Sequence, residues 1–220
     1  MKGYFVTGTD TGVGKTVLSA LLVAALDAFY WKPIQTGVIE GTDRETVRRL
    51  SEAREERLLP ESYCFDPPVS PHLAARMAGK RIDLNTLPFP LVREDRPWIV
   101  EGAGGVMAPI NETALMLDLI RNVKLPAVVA TRTSLGTINH TLMTLFALRE
   151  AKLAVRGVVM IGANNEENRK AIEHYGNVQV IGQIPVLERL TRRSLLEVFN
   201  RQFDRQLFHA DFGDISISAL

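Results

Sequence analysis

Gly8-Thr9-Asp10-Thr11-Gly12-Val13-Gly14-Lys15-Thr16 is the stretch on which the reading of this chain turns. An apolar run, Lys2 to Thr7, precedes it and contains Tyr4, Phe5 and Val6, which predicts a buried strand. Lys15 to Ala28 follows with helical spacing and many Ala and Leu. A glycine-rich turn between strand and helix lets backbone N–H groups curl around phosphate oxygens. The helix N-terminus adds a partial positive charge. Lys15 can reach terminal phosphates, and the Thr16 hydroxyl can ligate Mg²⁺. The usual phosphate loop has four residues between its first Gly and the Gly-Lys pair. Here five separate Gly8 from Gly14, and Thr9 holds the usual glycine position. An ordinary glycine-rich turn gives no reason for Lys-Thr at a helix start. A dinucleotide fingerprint fails, because Gly12-x-Gly14 would need a third small residue at Val17.

Beyond this loop, strand and helix patterns alternate. Phe29 to Lys32 reads as a strand stopped by Pro33, and Asp43 opens a charged helix to about Arg54, with Asp43 as a possible N-cap. Leu58 to Glu94 is proline-rich, with a short helix over His72 to Ala78. Strands are expected at Trp98–Glu101, Ala127–Thr131, Val155–Ile161 and Val178–Ile181. Helices are expected at 113–122, 137–151, 167–175 and 194–203. Such alternation predicts one α/β domain over residues 1–220, with a mostly parallel sheet flanked by helices on both faces. Continuously apolar strands such as Ala127-Val128-Val129-Ala130 fit a sheet covered on both sides. Ligands of such sheets bind beyond the C-terminal strand ends. The loops 8–14, 33–43, 102–112, 131–137 and 162–166 all follow strands there.

Composition excludes several classes. A net charge of +1 argues against a polyanion binder, and the cluster Arg189 to Arg193 reads as a solvated element. One cysteine, Cys64, makes no internal disulfide or zinc site and fits a reducing compartment. In Tyr-Cys-Phe it is expected as a small core residue. The longest apolar stretch, Val17 to Leu26, is shorter than the roughly 20 residues a bilayer span requires. A cytoplasmic enzyme without membrane or nucleic-acid partners is expected.

Charged residues at strand ends sharpen the reading. Glu101 closes Trp98-Ile99-Val100-Glu101 before a run of glycines, where an acid can bind Mg²⁺ directly or through water. Asp43 is either a second acid near that ion or a helix cap, and the two roles are compatible. Lys32 ends its strand on the ligand side. His72 and His140 have no Ser or Cys partner pattern for nucleophilic catalysis.

Together with the phosphate loop, four further segments resemble the dethiobiotin synthetases. They are Lys32-Pro33-Ile34-Gln35-Thr36-Gly37, Ser70-Pro71-His72, Val100-Glu101-Gly102-Ala103-Gly104-Gly105 and Leu135-Gly136-Thr137-Ile138-Asn139-His140. Order and spacing match from residue 3 to about Pro185, and the extra loop residue is typical of that family. The resemblance implies a P-loop NTPase fold and the ATP-dependent joining of CO₂ to 7,8-diaminopelargonate. It implies a carbamate and a carbamic–phosphoric anhydride as intermediates, and a homodimer with shared active sites. By the same resemblance Thr11, Lys15 and Lys32 are catalytic, and Thr16, Asp43 and Glu101 hold Mg²⁺. Gly12, Val13, Gly14, Lys15, Thr16, Val17, Glu101, Gly104, Asn164 and Pro185 would hold ATP, with Asn164 on adenine. Thr36, Ser70, Gly136, Thr137, Ile138 and Asn139 would take the substrate. Gly12 stands where some members carry an acid that touches the substrate amine.

Three other readings compete. A cobyrinic acid amide synthase-like domain also activates a carboxyl with ATP but usually carries a glutaminase domain, for which this chain lacks length and a Cys motif. A nucleotide-switch ATPase of the ParA or MinD kind carries a lysine near the start of the loop, where this chain has Thr9 and Asp10. A catalytically dead P-loop protein would have no need of Lys15, Thr16 and Glu101.

Overall fold

Every residue of β1 (Gly3–Gly8) is buried, and successive side chains point to opposite faces of a strand. Tyr4 and Val6 therefore enter one apolar core and Phe5 another. The computed structural model describes residues 2–39, 41–88 and 96–213. It places β1 at the middle of a seven-stranded sheet. β6 (Trp98–Gly105) lies on one side of β1 and β7 (Ala127–Arg132) on the other, both parallel to it. Outward from β6 come β2 (Phe29–Trp31) and β4 (Leu58–Leu59). Outward from β7 come β8 (Val155–Ile161) and β9 (Val180–Ile184), again parallel.

Helices cover both faces, as the alternating pattern predicts. On the Tyr4 side α1 (Lys15–Leu26) packs with α2 (Asp43–Ser51), α7 (Arg192–Gln202) and α8 (Arg205–Phe212). On the Phe5 side lie α3 (Pro71–Met77), α4 (Met116–Val123), α5 (Thr137–Glu150) and α6 (Glu166–Gly176). No helix among the described residues is long and apolar enough to cross a membrane. With β1, β2, β6 and β7 parallel, their C-terminal loops gather along one edge, with β1 at the crossover point where sheets of this class bind ligands.

Several expectations need correction. The proline-rich middle contains a second, two-stranded parallel sheet of β3 (Ile34–Thr36) and β5 (Tyr63–Phe65). Strands of two or three residues carry too little periodicity to be read. Residues 89–94 of that stretch lie outside the described residues. Cys64 is exposed rather than in the core, because strand alternation turns Phe65 inward and Cys64 out. Burial, with Glu61, Asp66 and Glu45, raises its thiol pKa, which makes it a poor nucleophile. α4 starts at Met116 rather than at 113, because the Asn111 side chain holds the N–H groups of Thr113 and Ala114 in a turn. The last strand starts at Val180 rather than 178, and α8 follows the expected last helix.

Candidate active site

β1 delivers Gly8 to the sheet edge, and residues 9–14 arch back to start α1. Thr9 N–H is pinned to Ala130 O at 3.0 Å. Gly14 caps the helix at φ 97°, and a Cβ there would meet Ile161 Cδ1 at 2.9 Å, so both conformation and space demand glycine. Lys15 folds under the arch and donates from Nζ to Asp10 O at 2.9 Å. Burial, then the charge of Lys32, lowers its pKa to about 8.

Thr16, one residue on, turns its hydroxyl between two acids. Its Oγ1 lies 2.8 Å from Asp43 Oδ1 and 2.9 Å from Glu101 Oε1. Asp43 is not the cap of α2. Thr42 caps it, bonding the Glu45 N–H at 3.1 Å while Glu45 returns to the Thr42 N–H at 2.8 Å. Asp43 is thereby left at the first helical position with its carboxylate free for the cleft. Glu101 is fully buried on β6 and also accepts from Tyr30 Oη at 3.1 Å. Lys32 Nζ reaches Glu101 Oε1 at 3.1 Å and pairs with Asp43. Burial disfavours the Lys32 ammonium, but Glu101 and Asp43 outweigh it and hold its pKa above the lysine value. Burial likewise works to raise the Asp43 carboxyl, and Lys32 with the Thr16 hydroxyl brings it below its ordinary value.

These groups form the floor of a cleft of about 870 Å³. Of the residues expected in the site, Thr11, Gly12, Gly14, Val17, Thr36, Ser70 and Gly104 also line it. Ser70 Oγ is 3.0 Å from His72 Nδ1. Val13 does not line the cleft, because its side chain is buried in the Tyr4-side core. Asn164 and Pro185 lie outside the cleft as well. Asn164 is exposed, and its neighbour Asn165 caps α6. Gly136, Thr137, Ile138 and Asn139 are also outside it. The Thr137 hydroxyl is spent on Arg132 O at 2.5 Å, and Gly136 and Asn139 face solvent. α5 instead contributes His140, Met143 and Thr144 to the cleft wall.

Two residues that brace the site escape sequence reasoning. Gln35 Oε1 accepts the Asp43 N–H at 3.2 Å, so β3 and α2 are tied together at the acid. Arg132, at the end of β7 and outside the cleft lining, donates to Thr11 O at 2.9 Å and so ties β7 to the phosphate arch. A glutamine and an arginine carry no spacing signal; only the tertiary contact reveals them.

A metal can be tested against the donor set. Thr16, Asp43 and Glu101 present only oxygens, a hydroxyl and two carboxylates, which is the chemistry Mg²⁺ selects when phosphates and waters complete its shell. Among the described residues no group of three His, Cys, Asp or Glu side chains gathers for a softer metal. The residues fit magnesium.

A family model described as an AAA domain matches residues 2–194. The ATP-dependent dethiobiotin synthetase BioD of Paramagnetospirillum magneticum is 54% identical over 195 residues, covering 89% of this chain and 93% of that protein. The protein of the same name from Rhodopseudomonas palustris (strain HaA2) is 44% identical over 210 residues, 96% of this chain and 98% of that one. The chain belongs to the dethiobiotin synthetase family. The residues that the family model matches include all five segments singled out in the sequence. A solved structure of a ParA family ATPase from Chlorobium tepidum TLS is similar with a TM-score of 0.49 and 15% identity, covering all of both chains.

Proposed function

We propose that this cleft carries out the family's reaction through Lys15, Lys32 and the oxygens of Thr16, Asp43 and Glu101. The enzyme is an ATP-dependent ligase that forms carbon–nitrogen bonds, turning 7,8-diaminopelargonate, CO₂ and ATP into dethiobiotin, ADP and phosphate. The observation that carries the residue assignment is the meeting of Lys15, Thr16, Lys32, Asp43 and Glu101 on one cleft floor, although 86 positions separate Lys15 from Glu101.

One amine of the substrate attacks CO₂ and releases a proton, giving a carbamate. A carbamate oxygen then attacks the γ-phosphorus, and ADP leaves. The second amine attacks the carbonyl carbon of the anhydride, loses a proton and expels phosphate as the ring closes. Phosphoryl transfer asks mainly for positioning and charge neutralisation. Loop N–H groups and Lys15 supply these at the phosphates, and Thr11 flanks them at the cleft mouth. Lys32 and Thr36 face the carbamate side, with Ser70 and Gly104 along the substrate. Magnesium, held by Thr16, Asp43 and Glu101, would offset charge on the phosphate oxygens. Gly12 and Val17 bring backbone and apolar contact to the nucleotide.

The carboxylate end of the substrate calls for a second anion site. Gly136 opens α5 at φ 93° with no side-chain cap; the Thr137 N–H bonds Ser134 O at 3.2 Å, and the rest of the first turn offers its N–H groups to an anion. On its own chain that helix start, residues 136–139, does not line the cleft. We assign it to the cleft of a second protomer in a two-fold dimer. Leu135, fully exposed, and Met143 and Phe146, more than half exposed, give α5 an apolar face for that contact. Asn164 and Pro185 remain our assignment for the base, and the compartment we assign is the cytoplasm. ATP hydrolysis measured with and without the diamine and bicarbonate tests the reading. Product phosphate is expected only with both, and a rate independent of the diamine would sink it.

A further inference from the structure

Lys32 occupies an unusual position for a residue that acts on substrate. Its ammonium bridges Asp43 and Glu101, and on Glu101 it uses Oε1, the same atom that faces Thr16. The Thr16 hydroxyl has one proton to share between two carboxylates, so it cannot hold both together alone. Two converging acids, Glu101 fully buried and Asp43 partly so, call for a compensating cation. Lys15 is the other lysine on the cleft floor, and its Nζ is bonded to Asp10 O. The cation that assembles the three oxygens is Lys32.

We propose that Lys32 is the resident counter-ion of the Thr16–Asp43–Glu101 oxygens, and that arriving magnesium displaces its ammonium into the cleft toward the reacting anions. The proposal rests on the magnesium site assigned above. A divalent ion on these oxygens would sit beside the ammonium, and like charges repel strongly where water is scarce. Glu101 Oε1 would also have to serve both cations. The backbone of Lys32 is fixed between β2 and Pro33, so exchange needs only the flexible stem to swing. The way out is short: Nζ already lies 3.5 Å from Gly102 O, and Ala103 and Gly104 line the cleft next to it. The free enzyme thus keeps its metal oxygens in place without metal. It delivers a second lysine to the acceptor side only once metal is in place.

Two measurements decide this. The first is Mn²⁺ binding, read by electron paramagnetic resonance of the free ion in the presence of ADP. Lys32→Met keeps the length and removes the competitor, so it is expected to bind Mn²⁺ about tenfold tighter than wild type. Equal or weaker binding would overturn the exchange and leave the magnesium site standing. No Mn²⁺ binding by wild type or variant would remove site and proposal together. Because the variant loses a buried cation and its fold can suffer, the second measurement uses wild type. Reductive methylation of lysines is followed by mass spectrometry with and without saturating Mg²⁺. Labelling of Lys32 is expected to rise severalfold while exposed Lys124 stays constant. Unchanged or lower labelling of Lys32 would overturn the proposal.

Discussion

Lys15 is held charged at a cost in the free enzyme, and ATP is the natural relief. Its pKa falls from 10.5 to about 8 on folding. Below pH 8 both folded and unfolded chains carry the proton, and the folded chain bears the penalty of burying it. Between 8 and 10.5 the unfolded chain binds more protons, so this residue's contribution to stability improves as pH rises. A polyphosphate beside Nζ would restore the proton. ATP binding just above pH 8 is therefore expected to take up protons, seen by calorimetry in buffers of different ionisation heat; equal heats in all buffers would refute it. Lys15→Gln is expected to lower kcat by about 10²–10³-fold with a smaller change in ATP affinity. A variant retaining half of wild-type kcat would remove Lys15 from the chemistry. For Glu101, replacement by Gln keeps the size and is expected to move the Mg²⁺ requirement of the reaction upward; an unchanged titration would make Glu101 structural.

α2 supports the acid it carries. Thr42 closes a capping box at its start, and Thr42→Ala is expected to lower stability by about 1 kcal/mol. Because Asp43 follows at once, the same variant is expected to raise the Mg²⁺ requirement, whereas an equally destabilising change at the far end of α2 is not. A Mg²⁺ titration of both variants, corrected for folded fraction, separates the two effects. Much of this element logic is legible in the sequence. The loop 8–16 implies a strand, a turn and a helix, because its glycine spacing and the following Lys-Thr suit little else than a phosphate-binding turn at a helix start. Glu101 is visible as the acid that follows an apolar run, although β6 continues past it to Gly105. What stays hidden does so for physical reasons. β3, β4 and β5 are too short for periodicity, and the cap at Thr42 rather than Asp43 depends on which of two adjacent oxygens turns back. Gln35 and Arg132 act through contacts between distant elements. Segment 136–139 is expected beside substrate, and within one chain it lies outside the cleft, with Gly136 and Asn139 exposed and Thr137 buried.

For the whole molecule, the shared site proposed above predicts that exposed Leu135, Met143 and Phe146, on and before α5, pack against a second copy. Leu135→Asp is expected to yield monomers by sedimentation and to cut activity severely, although Leu135 lies outside the cleft of its own chain. Mixing a Lys15→Gln protomer with one damaged at Gly136 is expected to restore activity in some heterodimers, and a fully active monomer would defeat the shared site. The sheet order has a different consequence, for the newborn chain. The central strand β1 is synthesised early, yet Tyr4 pairs with Ile99 and Phe5 with Ala127. At typical translation speeds of roughly 5–20 residues per second, Ile99 follows Tyr4 after roughly 5–20 s. Phe208, which packs edge-on against the Tyr4 ring, comes later still. For that interval the ribosome-bound chain carries a strand that ends up buried at every residue still unpaired, and keeping it from other nascent chains falls to the cell's chaperones rather than to the fold.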